Sequence, residues 1–199
     1  MNRGSFVALA ASMTVVASAF GLSIGDKAPS TSVKMQSVDG SQVAIADVAG
    51  KEGTLVVFSC NHCPFVKAWQ DRIASIGNAA KSKGVGVIVI NSNDPAANPE
   101  DNFAEMQKRA QQLGFTFPYV VDATSDVARA FGATRTPEAF LFDKDGKLVY
   151  HGAIDDSKEA DQVSKHFLQD AVDAAVAGKA VPVAETKFVG CGIKFRTKT

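Results

Sequence analysis

Apolar and polar positions along this chain fall into blocks that switch between two periods. A continuous β-branched run, Thr54-Leu55-Val56-Val57-Phe58, is short and dry enough to be a buried parallel strand. From Phe65 the apolar residues recur at Val66, Trp69, Ile73, Ile76 and Ala80, steps of three and four that put one stripe on a helix running to about Lys83. The run from Gly84 to Ile90 reads as a second buried strand. A polar loop, Asn91 to Ala97, leads to a helix that Asn98 caps. Pro99 takes its first position, Glu100 and Asp101 its first turn, and it continues through Phe103, Met106 and Ala110 to Gly114. Tyr119-Val120-Val121 is a short strand, and Thr124 or Asp122 can cap a helix from Asp126 to Phe131 that Gly132 closes. Glu138 to Asp143 and Lys147 to Tyr150 form a hairpin around Lys144-Asp145-Gly146. A last helix spans about Ala160 to Ala177, with apolar steps at Val163, Phe167, Ala171, Val172 and Ala175. Ahead of all this, Ser32 to Ala44 forms a hairpin around Asp39-Gly40, a pair that readily takes positive φ angles. Its expected role is to cover a sheet edge.

Strands alternating with helices over 199 residues, 46% of them hydrophobic, suit one α/β domain with a sizeable core. Basic and acidic residues number 21 each, which gives no pull toward nucleic acid or an anionic membrane surface. Partners are expected among proteins and small thiols. The first nineteen residues hold Arg3 and no acid, then an apolar run from Phe6 to Ala17, then Ala17-Ser18-Ala19. That order is a secretory signal with a small-residue cleavage site. The run falls short of the ~20 residues a membrane span needs, so no stable insertion is expected once it is removed. Residues 1–19 are therefore expected to be a signal, 20–180 one domain and 181–199 a tail, and the chain periplasmic or extracellular.

The chemistry concentrates in Phe58-Ser59-Cys60-Asn61-His62-Cys63-Pro64-Phe65, at a strand-to-helix junction. A helix N-terminus carries about half a positive charge and unpaired N–H groups, both favouring thiolate over thiol. At an ordinary pKa of about 8.5 a thiol is only ~3% ionised at neutral pH, whereas a pKa near ~6 would make it roughly 90% thiolate. Two intervening residues let one thiol resolve a mixed disulfide held on the other. Half of a zinc site is a poorer reading, because only Cys191, His62, His151 and His166 remain as further soft ligands. No metal or cofactor is expected. A Cys-x-x-Cys between strand and helix in an α/β pattern is a redox signature. His151 and His166 read as surface residues.

Three stretches together carry a resemblance: Phe58 to Cys63, Phe115 to Asp122, and Gly132-Ala133-Thr134-Arg135-Thr136-Pro137-Glu138 on to Asp143. The chain resembles thioredoxin-fold proteins of the redoxin group, TlpA-like and AhpC/TSA-like, from about Ile24 to Gly178. The resemblance implies a central mixed sheet flanked by helices, with the N-terminal hairpin as an extension. It implies an exported thiol–disulfide oxidoreductase working with protein thiol or disulfide substrates and an upstream redox partner. It casts Cys60, Cys63, His62, Thr136 and Pro137 as site residues. Thr136-Pro137 matches the cis-proline such proteins hold beside the redox pair, leaving the Thr136 backbone open to an added substrate strand. His62 occupies the place where the DsbA family has a thiolate-stabilising histidine, and is expected to be exposed. Cys60 is expected to be the low-pKa attacking sulfur and Cys63 the resolving one.

The chain also departs from the pattern. Ser59 stands where a tryptophan usually precedes the first cysteine, and Thr54 where thioredoxins bury an acid, which leaves the proton acceptor for Cys63 unassigned. Two other functions are weighed. A thiol peroxidase would need a hydroxyl residue where Val57 stands, and a Sco-like copper chaperone would need a wider cysteine spacing and a histidine where Thr136-Pro137 stands. Cys191, between Gly190 and Gly192, sits in a tail that is mobile or tightly turned. It is either an exchange partner of the redox pair or a passive thiol, and nothing in the sequence fixes it near the site.

Overall fold

The computed structural model describes residues 21–197; the expected signal residues 1–19 lie outside them. In chain order the elements are β1 (Met35–Ser37), β2 (Gln42–Val43), β3 (Thr54–Phe58), α1 (Pro64–Ser82), β4 (Gly86–Asn91), α2 (Phe103–Gln112) and β5 (Tyr119–Val121). They continue as α3 (Asp126–Phe131), β6 (Arg135–Thr136), β7 (Glu138–Phe142), β8 (Leu148–Gly152), α4 (Phe167–Val176) and β9 (Cys191–Gly192). Seven strands form one mixed sheet in the order β2-β1-β5-β4-β3-β7-β8, and β6 pairs with β9 apart from it. The N-terminal hairpin covers one edge, as expected.

β3, β4 and β5 run parallel, and their side chains alternate between two dry faces. Leu55 and Val57 point to the face covered by α1, α2 and α4, where Trp69, Ile73, Met106, Leu168 and Val172 are buried. Val56 and Phe58 point to the opposite face, against Val127 and Phe131 of α3. Rings of Phe58, Phe140 and Phe142 meet Phe131 edge-on, with centroids 5.3, 5.3 and 6.0 Å away, the arrangement aromatic quadrupoles prefer. Burying side chains of this size stabilises the fold by ~1.5–3 kcal/mol each, so both faces anchor the strand that carries the cysteines.

Register decides what lies beside the cysteines. β7 runs antiparallel to β3 with Glu138 opposite Phe58, so the residues just before Glu138 flank those just after Phe58. Thr136 and Pro137 are thereby delivered to Cys60. In the parallel ladder Ile90 lies opposite Phe58, so the loop leaving β4 at Asn91 reaches the same edge.

Two helices are shorter than their periodicity suggests. Asn98 caps only a 3₁₀ turn, Pro99–Asp101; the chain then extends at Asn102, which caps α2 by accepting from Glu105 N. The break turns the Asp101 side chain inward, where tertiary hydrogen bonds outweigh helical continuity. The last helix begins at Phe167 instead of Ala160, because the Asp156 carboxylate accepts from the backbone amides of Ser164 and Lys165 and from Ser164 Oγ. Val163 is accordingly extended. Both expected caps of α3 bond its first amides: Thr124 Oγ1 accepts from Asp126 N and Asp122 Oδ2 from Ala128 N.

Candidate redox-active site

Cys60 leaves the end of β3 while Ser59 N still donates to Ile90 O, and Cys63 is the residue that caps α1, with Pro64 at the first helical position. Both sulfurs are sunk: Cys60 is 1% and Cys63 0% exposed. The Thr136–Pro137 peptide is cis. Thr136 addresses both cysteines, its Oγ1 3.2 Å from Cys60 Sγ and its carbonyl oxygen 3.3 Å from Cys63 Sγ. Four of the expected site residues, Cys60, Cys63, Thr136 and Pro137, are thus brought together.

Hydrogen bonding within the pair lowers the pKa of Cys63 and raises that of Cys60, the opposite direction to the one expected from the helix dipole alone. Cys63 is pulled well below the ordinary thiol value, first by the hydrogen bond from Cys60, then by Cys191 and the first-turn amide of Val66, against a burial cost. Cys60 is pushed up, first because it donates a hydrogen bond to Cys63, then by burial and the negative charge of Asp101. Cys63 Sγ also faces the Thr136 carbonyl at 3.3 Å and Cys191 Sγ at 2.7 Å, contacts in which it can donate, while Cys60 and the helix N-terminus favour its ionised form. From the sequence Cys60 looked like the residue next to the dipole. The cap of α1 is Cys63, three residues beyond Cys60.

His62 is not free at the surface. Its side chain is 14% exposed and Nδ1 lies 2.6 Å from Asp101 Oδ2. Asp101, 2% exposed, is the hub of the loop between the cysteines. Its Oδ1 accepts from the amides of Asn61 and His62, and its Oδ2 also accepts from Asn93 Nδ2. Asn61 is fixed further by Tyr119 Oη, which donates to its Oδ1, and by donating itself to Glu100 O. Burial raises Tyr119 well above its usual pKa, so it remains a donor. One ligand atom each of Cys60, His62 and Asp101 falls within 4.8 Å of the others. Any ion held there would have to displace hydrogen bonds that already occupy both Asp101 oxygens.

Sequence reasoning missed three residues. Asp101 looked like a helix-dipole carboxylate. Glu138, 1% exposed, accepts from Thr134 N and Arg135 N and so holds the loop ahead of Pro137, and it pairs with His151. His151 is therefore half-buried, stacked on Phe140 at 4.3 Å, and not a surface histidine. His166 is exposed at the start of α4. The third is the position of Cys191. Thr136 pairs with Cys191 in the β6–β9 ladder, which puts Cys191 Sγ 2.7 Å from Cys63 Sγ. The strand edge expected to stand open for a substrate is occupied by the chain's own tail.

A mixed sheet that sets a buried dithiol against a cis-proline defines a thioredoxin-like thiol–disulfide oxidoreductase. The chain belongs to the Redoxin family, whose model matches residues 23–166. A solved structure of an uncharacterized conserved protein from Geobacillus kaustophilus is 38% identical, covering 89% of this chain and 94% of that one with a TM-score of 0.82. One from Sinorhizobium meliloti is 33% identical, covering 89% and 97%, also with a TM-score of 0.82. The thiol–disulfide oxidoreductase ResA of Geobacillus thermodenitrificans is 27% identical over 127 residues, 64% of this chain and 67% of that protein. At 21% identity and a TM-score of 0.60, the thioredoxin domain of a Bacteroides vulgatus thiol–disulfide oxidoreductase shares the fold.

Truncating Asp101 to Ala should strand the Asn61 amide and the Asn93 side chain in a dry site. With a buried unsatisfied group costing ~1–3 kcal/mol, the expected loss in urea unfolding is about 3 kcal/mol. A loss below about 1 kcal/mol would show that the loop does not depend on this carboxylate.

Proposed function

We propose that this is an exported thiol–disulfide oxidoreductase whose redox pair is Cys60 and Cys63, acting on protein or small-thiol disulfides and coupled to an upstream redox partner. The observation that carries this reading is a pair of buried cysteines at a strand-to-helix junction, with Thr136 Oγ1 3.2 Å from Cys60 Sγ and Thr136 O 3.3 Å from Cys63 Sγ, beside the cis Thr136–Pro137 peptide. In the reducing direction the Cys63 thiolate attacks a disulfide sulfur. A mixed disulfide forms and one substrate thiolate leaves. Cys60, losing its proton, then attacks Cys63 Sγ, forming Cys60–Cys63 and releasing the second thiolate. Two electrons pass to the substrate in all. Thr136 and Pro137 shape the wall against which this occurs, and His62 is a positioning residue, tying the intervening loop to Asp101.

Insulin reduction driven by dithiothreitol tests the activity. The parent should accelerate it, and Cys60→Ser and Cys63→Ser should each return it to the uncatalysed rate. Peroxide consumption without insulin reduction, or stoichiometric copper uptake without exchange, would favour the peroxidase or the copper-chaperone reading instead.

Export is proposed from the charge, apolar run and small-residue site of residues 1–19, which lie outside the described residues. Among the described residues no helix is long and apolar enough to cross a membrane. Intact mass of the secreted protein should place its first residue at Phe20. Retention of Met1 would refute the signal and favour an anchor.

A further inference from the structure

Two facts about the proposed pair conflict. An exchange enzyme must bring an external sulfur into line with one of its own, yet Cys60 and Cys63 are 1% and 0% exposed. The cleft that reaches Cys60 past Tyr119, Phe115 and Arg109 has a free volume of only about 10 Å³, room for roughly one water molecule. The other approach, along the Thr136 edge, is filled by β9.

The segment that blocks the site also brings a sulfur with it. Cys191 is partly exposed, and its Sγ lies 2.7 Å from Cys63 Sγ, in direct contact with it. Its placement is built in. Arg135 Nη1 donates to Gly190 O, Ile193 N to Thr134 O, and Lys194 N to Asn93 Oδ1. Ile193 is 8% exposed in the core, and a Cβ at Gly190 would fall 2.4 Å from Thr136 O, so only glycine lets the strand approach this closely. These contacts come from a stretch beyond the family match, which ends at residue 166.

Resting on the exchange reading above, we propose that Cys191 is a third redox residue, the sulfur through which external disulfides and thiols reach the buried pair. In the reducing direction Cys191, losing its proton to solvent as it reacts, attacks an external disulfide RSSR′, forming Cys191–S–SR and releasing R′S⁻. Cys63 attacks Cys191 Sγ, forming Cys63–Cys191 and releasing RS⁻. Cys60 then attacks Cys63 Sγ, forming Cys60–Cys63 and returning Cys191 as thiolate. One disulfide is reduced to two thiols, and one disulfide is gained by the protein. Cys63 is central because it alone is placed against both other sulfurs. Burial and the neighbouring Cys63 raise Cys191 above the ordinary thiol value, an effect that Lys194 and Arg135 only partly offset.

Reduced full-length protein mixed with oxidised glutathione, quenched with acid over time and mapped by mass spectrometry, tests this directly. Expected is glutathione first on Cys191, then a Cys63–Cys191 bridge, then Cys60–Cys63. Cys60→Ser should stop at Cys63–Cys191, and Cys63→Ser at glutathionylated Cys191. Cys191→Ser should react about tenfold or more slowly, while diamide still forms Cys60–Cys63 in it. Glutathione on Cys60 or Cys63 with Cys191 untouched, in the unsubstituted protein, would overturn the relay whatever the variants do. A parental rate in Cys191→Ser would remove the role of Cys191 alone. Failure of diamide to give Cys60–Cys63 in any form would overturn the exchange reading beneath it as well.

Discussion

An ionised sulfur shielded from water persists only where donors replace the lost hydration, and the architecture of this site follows from that constraint. Cys63 meets polar groups on three sides: Cys60 from the end of β3, Cys191 Sγ of the tail at 2.7 Å, and the first turn of α1. Each comes from a different part of the chain, so the thiolate depends on the fold as a whole. A lone cysteine at the same depth would hold its proton, as burial first of all holds Cys191 above the ordinary value.

Two carboxylates hold the donors in place without touching the reacting sulfur. Asp101 gathers the amides of Asn61 and His62 and so fixes the loop that sets the spacing of Cys60 and Cys63. Glu138 gathers the amides of Thr134 and Arg135 and so fixes the approach to Thr136. Both are almost fully buried, and both have their oxygens satisfied by backbone or side-chain donors, the condition under which a buried carboxylate is tolerated. The negative charge of Asp101 also disfavours ionisation of Cys60, which sharpens the division of labour between the two thiols.

Strands and the redox helix were legible because their signals are local. Thr54 to Phe58 and Gly86 to Asn91 are apolar on both faces, and the stripe from Val66 to Ala80 can face only one core. Cys60, Cys63 and Thr136-Pro137 were recognisable from their order, and the β3–β7 register then brought them together. Contacts between residues far apart in sequence were not legible. Asp101 lies 39 residues from His62, and Cys191 lies 128 from Cys63, so no periodicity links them. The hydrogen bonds that set the two cysteines apart come from Thr136 and Cys191, far along the chain, and were not legible either. A start at Pro64 makes Cys63, not Cys60, the cap.

The central claim is that Cys63 carries the thiolate and that its two neighbouring thiols keep it there. Titrating the far-ultraviolet thiolate absorbance of the reduced protein measures this most directly. The account predicts one cysteine ionising far below the ordinary thiol value of about 8.5, near pH 4. That transition should be absent from Cys63→Ser and displaced upward in both Cys60→Ser and Cys191→Ser, because each loses a donor to the charge. An acidic transition that survives in Cys63→Ser, or no thiolate at all below neutral pH, would contradict it.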